Sequence, residues 1–222
     1  MVERHTAGVT TIGFLHTSSA HQPTFDALVA ELIPGAQVQT VVDEIVLDRA
    51  RLLGPDHVEI IGAIADRLAQ LHTADVVVCT CSTIGGVAEW VGAEAGVRVV
   101  RVDRAMAELA VTTGDRIAVI VAVESTIAPT RDLLDETSML LGRNPEIEVH
   151  LVADAWRRFE AGDNDGYLDT IAAAVEGAAK VCDVVVLAQA SMAEAGERVV
   201  VGVPVLSSPR TAVDALARAA GA

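Results

Sequence analysis

One short stretch holds most of the reactive chemistry of this chain: Cys79-Thr80-Cys81-Ser82-Thr83. The apolar run Val76-Val77-Val78 leads into it, and Gly85-Gly86 follow. A cysteine that ends a buried strand and opens a helix lies where the helix N-terminus stabilises a thiolate. Such a thiol is suited to moving protons, and the two glycines would let a ligand approach the backbone closely. Cys81 is therefore the candidate reactive group. Cys79 continues the strand and Cys182 ends a helical pattern before Asp183, so both read as small buried apolar residues. A Cys-X-Cys metal half-site has no second cysteine pair to complete it, and His16, His21 and His72 lack zinc-ligand spacing, so no metal is expected.

The stretch has a counterpart. Asp75-Val-Val-Val leads to Cys81-Ser82-Thr83, and Asp183-Val-Val-Val leads to Gln189-Ala190-Ser191, 108 residues later. Pro23-Thr24 with Asp26 and Leu28 resembles Pro129-Thr130 with Asp132 and Leu134, and Gly96-Val97 through Arg104 resembles Gly202-Val203 through Arg210; both offsets are 106. Three anchors in one order at nearly one spacing indicate two copies of a module of roughly 105 residues. Gln189 takes the place of Cys81 in the second copy. A glutamine ending a buried strand must find partners or cost about 1–3 kcal/mol. It either bridges to a loop or donates its amide to a ligand oxygen.

The elements that must position these residues follow from hydrophobic pattern. Strands are expected at 9–16, 38–42, 75–79, 97–102, 116–121, 146–152, 183–188 and 203–206, several of them continuously apolar as in sheets covered on both faces. Helical patterns at 23–32, 55–71, 82–94, 129–141 and 167–181 alternate with them. Such alternation implies βαβ units: two parallel α/β modules related by a pseudo-twofold, the first from 1–103 with 207–222 and the second from 104–206. Ligands bind outside the carboxyl ends of such strands, so facing modules would share one cleft. The first strand ends in His16-Thr17-Ser18-Ser19 and its counterpart near Glu124-Ser125-Thr126, each ahead of a helix. Hydroxyls and free amides in that position form an anion site, or are plain caps. His16 is a reserve acid or base. Arg104 and Arg210 are clamps for a carboxylate or solvated helix-start residues, and Trp90 and Trp156 read as packing.

Composition narrows the function. The net charge of −15 opposes nucleic acid and anionic membrane as partners, and requires local donors to hold an acidic substrate. Three cysteines fit a reducing compartment, no run is long enough to span a membrane, and the start of the chain shows no signal peptide, so the cytoplasm is expected. A homo-oligomer stays open.

With these residues in hand, the chain resembles the aspartate/glutamate racemase family, which includes hydantoin racemases, maleate isomerase and arylmalonate decarboxylase. The resemblance rests on the strand ending in Cys81-Ser82-Thr83, the tandem halves, Ser125-Thr126 before the helix, and Val-Val-Leu-Ala-Gln-Ala-Ser-Met at 185–192. It implies a cofactor-independent enzyme moving a proton at a carbon adjacent to the carboxylate of a small acid. Cys81 and Gln189 would be the catalytic pair, with Thr17, Ser18, Ser19, Ser82, Thr83, Ser125, Thr126 and Ser208 at the substrate. Two-base racemases of the family carry a cysteine in each half, whereas Gln189 stands at the second position here and cannot act as acid or base. A racemase or isomerase is the expected class, with a one-thiol decarboxylase or an inactive solute-binding relative as the alternatives.

Overall fold

The computed structural model describes residues 10–221. Val9, expected to open the first strand, and residues 1–5, where no signal peptide was expected, lie outside the described residues. The described residues form eight strands: β1 (Thr11–His16), β2 (Gln37–Val42), β3 (Val76–Cys79), β4 (Val99–Arg101), β5 (Arg116–Val121), β6 (Glu146–Leu151), β7 (Val184–Leu187) and β8 (Val205–Ser207). Among them lie α1 (Gln22–Leu32), α2 (Glu44–Leu53), α3 (Val58–Gln70), α4 (Ser82–Ala95), α5 (Arg104–Thr113), α6 (Ile127–Leu140), α7 (Ala153–Glu160), α8 (Asn164–Ala178), α9 (Ala193–Glu197) and α10 (Ser208–Ala220).

The strands pair in parallel into two four-stranded sheets, ordered β2-β1-β3-β4 and β6-β5-β7-β8. The two orders are the same, and the starts of equivalent strands differ by 105, 109, 108 and 106 residues. The repeat read from the sequence is thus a repeat of architecture. Its Asp-Val-Val-Val signature has a physical cause. The Asp75 carboxylate accepts from the Thr11 N–H at 2.7 Å, and the Asp183 carboxylate from the Arg116 N–H at 2.9 Å. Each aspartate holds the entry of the neighbouring strand, and the valines behind it fill both faces.

Along β3, Val76 and Val78 face a cluster with Phe14, Phe25 and Val29, while Val77 and Cys79 face Ile60, Ile64 and Ile84. Along β7, Val184 and Val186 face Met106, Leu133 and Leu134, while Val185 and Leu187 face Tyr167, Ile171 and Val175. Successive residues serve opposite faces, as the pleat requires, so a sheet covered on both sides needs an unbroken apolar run. Ala212 and Val213 of α10 pack in the cluster of Ile12 and Phe14, returning the end of the chain to the first sheet. No helix among the described residues is long and apolar enough to cross a membrane.

Gly85, after Cys81, has a different role from the expected one. A Cβ on Gly85 would lie 2.9 Å from the Arg101 Cβ, whereas one on Gly86 would make an ordinary contact 3.6 Å from an Arg101 guanidinium nitrogen. Gly85 lets α4 settle onto the buried Arg101 of β4. It is a packing position against the protein's own chain.

Candidate active site

Each half ends its third strand in an extended residue that starts the next helical segment. Cys81 has φ −116 and ψ 113 ahead of α4, and Gln189 has φ −117 and ψ 141 ahead of a short 3-10 turn at Ala190–Met192. Both line one cavity of about 360 Å³ between the halves. Cys81 is buried, and no side chain caps the first turn of α4 behind it. Thr17, Ser18, Thr80, Ser82, Thr83 and Thr126 supply hydroxyl-bearing walls around it. The Ser82 hydroxyl donates to the Ala188 carbonyl at 3.0 Å, joining the halves beside both key residues.

Gln189 bridges rather than projects. Its Oε1 accepts from the Ala122 N–H at 3.0 Å, and its Nε2 donates to Thr126 Oγ1 at 3.4 Å. A backbone N–H only donates, which sets the amide oxygen toward Ala122 and the amide nitrogen toward Thr126. The second Nε2 proton remains for a ligand oxygen.

Three expected substrate contacts lie outside this lining. The Ser19 N–H and hydroxyl both donate to Glu44, at 3.0 and 2.7 Å. The loop does capture a carboxylate, but one of its own, and those bonds hold the Glu44 carboxyl below its usual range. Ser125 buries its hydroxyl within the turn at Glu124–Thr126, and Ser208 is fully buried at the start of α10; neither hydroxyl has a partner among the described residues. The arginine clamps are committed too. Arg104 pairs with Glu89 at 2.9 Å and Arg210 with Glu31 at 2.8 Å.

Cys79 and Cys182 are buried, and burial raises both thiols, in keeping with inert packing. His16 is fully buried. Its Nδ1 lies 2.8 Å from Thr80 Oγ1, its Nε2 has no partner, and it does not line the cavity. Burial, reinforced by nearby His21, lowers its pKa to about 4, so it is neutral near pH 7. His21 does line the cavity, and burial lowers its pKa as well.

The outer walls come from α2 and α7, equivalent helices after β2 and β6. Glu44, Leu47, Asp48 and Arg51 face Trp156, Phe159 and Glu160. Arg51 is the one guanidinium or ammonium among the described lining residues. It lies 5.1 Å over the Trp156 ring, and its Nε is buried without a partner. The Trp156 indole N–H donates to Glu160 at 2.7 Å, and its ring stacks on Phe159 at 4.9 Å. Trp156 is thus part of the site, while Trp90 is about half exposed on α4. Among the described residues no group of three or more His, Cys, Asp or Glu side chains is placed to hold a metal.

The fold, two repeated parallel α/β modules with a cavity between them at the strand ends, is shared with solved structures of racemases and a decarboxylase. The aspartate racemase of Picrophilus torridus superposes with a TM-score of 0.70 at 15% identity, over 96% of this chain and 94% of that one. A glutamate racemase isoform from Bacillus anthracis gives 0.71 at 16% identity, over 95% and 81%. Unliganded arylmalonate decarboxylase gives 0.56 at 19% identity, over 96% and 93%. No family model and no curated protein matches the sequence.

Proposed function

We propose that this chain is a cofactor-independent enzyme in which the Cys81 thiol delivers a proton to one face of a carbon adjacent to the carboxylate of a small acid. The observation that carries the reading is the asymmetry of the repeat. Equivalent strand ends bring Cys81 and Gln189 to one cavity, and only Cys81 has a transferable proton. A substrate that loses CO₂ from that carbon keeps the bonding electron pair as an enediolate. The S–H bond then breaks as the new C–H bond forms, and the thiolate regains its proton from water. The free Gln189 N–H and the hydroxyls of Ser18, Thr83 and Thr126 are neutral donors for the enediolate oxygens, stabilising charge where it develops. Arg51, which donates to Asp48 at 3.4 Å, is the cation on the wall that would meet a carboxylate.

A second reading is an isomerase, which needs an acid on the opposite face. His21 favours it, because it is the other neutral titratable side chain on the wall. A binding relative without chemistry would hold acids and turn none over. A panel of small carboxylates, assayed with wild type and Cys81→Ala, tests the proposal. Turnover of at least one acid by wild type and its loss in Cys81→Ala are expected. Equal turnover by the variant removes the thiol from the reaction, and binding without any turnover makes the chain a binding protein.

A further inference from the structure

A second chamber of about 220 Å³ adjoins the cavity that holds Cys81. His21, Phe159, Ala190 and Ser191 border both spaces and form the neck between them. Beyond the neck the wall is built of neutral hydrogen-bonding groups: Thr24, Asn164, Tyr167 and Ser191. Tyr167 is 1% exposed, and its hydroxyl lies 2.8 Å from Ser191 Oγ. That bond uses one of the two hydroxyl protons and leaves the other for a third group. Burial raises the Tyr167 pKa to about 12, so the phenol keeps its proton at physiological pH. Among the described residues no lysine or arginine borders the chamber, so an anionic group there meets no counter-ion from them. The one carboxylate among the described lining residues, Glu194, is on an exposed residue and keeps its water.

We propose that this chamber receives the distal end of the substrate, and that this end is an uncharged amide rather than a charged or purely apolar group. The proposal rests on the carboxylate reading above and extends it: the substrate is an acid with its head at Cys81 and an amide-bearing tail through the His21–Phe159 neck. An amide both donates and accepts, which matches a wall of hydroxyls and the Asn164 carboxamide. An alkyl tail would leave the buried Tyr167–Ser191 pair without its third partner, an anionic tail would meet no opposite charge, and a cationic tail would meet only the solvated Glu194 carboxylate.

Protection of Cys81 from N-ethylmaleimide, read by mass spectrometry at that residue, tests this with defined probes. The probes are butanoate for the head alone, adipic acid monoamide, its alkyl analogue 6-methylheptanoate, 6-aminohexanoate and adipate. The monoamide should half-protect at a concentration about tenfold below the alkyl analogue, as expected for a well-made buried hydrogen bond. Ala193→Phe, which fills the second chamber without touching the first, should remove that advantage, and Asn164→Leu, at an exposed helix start, should reduce it while leaving butanoate unaffected. Equal protection by the amide and alkyl tails, stronger protection by the amine or the diacid, or an advantage that persists in Ala193→Phe would overturn the proposal and leave the carboxylate reading standing. If no acid protects Cys81, butanoate included, the carboxylate reading itself fails and this proposal falls with it.

Discussion

At the scale of single residues, the site is defined by what Cys81 has and Gln189 lacks. Gln189→Cys restores a thiol in each half and should raise racemisation of a chiral acid from a low or absent background; chiral chromatography of the recovered substrate is the measurement. A variant that folds and leaves configuration untouched would mean the two positions do not face the same carbon. His16 gives a second prediction. Folded, it titrates near pH 4, and unfolded near 6.5. Between those values the unfolded chain binds more protons, so stability falls as pH drops through that window and is fully present above it. Urea unfolding should show a loss of about 2 kcal/mol between pH 7 and pH 5, and His16→Gln should lose much of that slope. A slope unchanged in the variant assigns the effect to other groups.

At the scale of elements, α4 carries the thiol and depends on close approach to β4. A Cβ at Gly92 would meet Val99 Cγ2 at 2.3 Å and the Val97 carbonyl at 2.8 Å. Gly92→Ala should therefore cost about 1–3 kcal/mol by thermal or urea unfolding, as overpacking does, because one obstacle is backbone. A neutral effect would show that α4 slides freely and does not fix Cys81. The sequence made the strands legible because each central strand buries both faces and reads as an unbroken apolar run. It made the strand-end residues legible because the repeat marks them twice. It concealed α2 and α7. Their sequences carry four charges in ten residues and four in eight, and they bury only Val46 and Ala50, and Ala155. Both are short, ten and eight residues, so even the amphipathic α7 gives little pattern to read; Arg51 and Phe159 went unassigned with them, and Trp156 was read as packing. The available signal was the repeat itself, since α2 and α7 start 109 residues apart, as do β2 and β6. Ser19, Ser125 and Ser208 misled for the opposite reason. Their type and position fit an anion site, but only tertiary packing decides whether a hydroxyl meets Glu44, a buried turn or a cavity.

At the scale of the whole molecule, two halves enclose a cavity, proposed to take an acid, in a protein of net charge −15. The cavity wall itself carries Glu44, Asp48 and Glu160 against Arg51. Repulsion of an anionic substrate is screened by salt, with a Debye length of about 30 Å at 0.01 M and about 8 Å at 0.15 M. Raising ionic strength over that range should lower the KM for an acid and leave kcat little changed; a rising KM would show that local attraction by Arg51 outweighs the global field. The halves are held in register by the Ser82–Ala188 bond, by Arg101, whose guanidinium pairs with Asp103 at 2.6 Å and donates to the Pro129 carbonyl at 3.1 Å, and by Arg104 donating to Glu89 at 2.9 Å. This registration sets which face of a bound carbon meets the thiol. The most direct test of one-sided delivery from Cys81 is therefore the stereochemical course of the reaction in D₂O. The account predicts product with a single deuterium at the carbon next to the carboxylate, in one configuration, and none from Cys81→Ala. Deuterium entering from both faces at comparable rates in the wild type would contradict it.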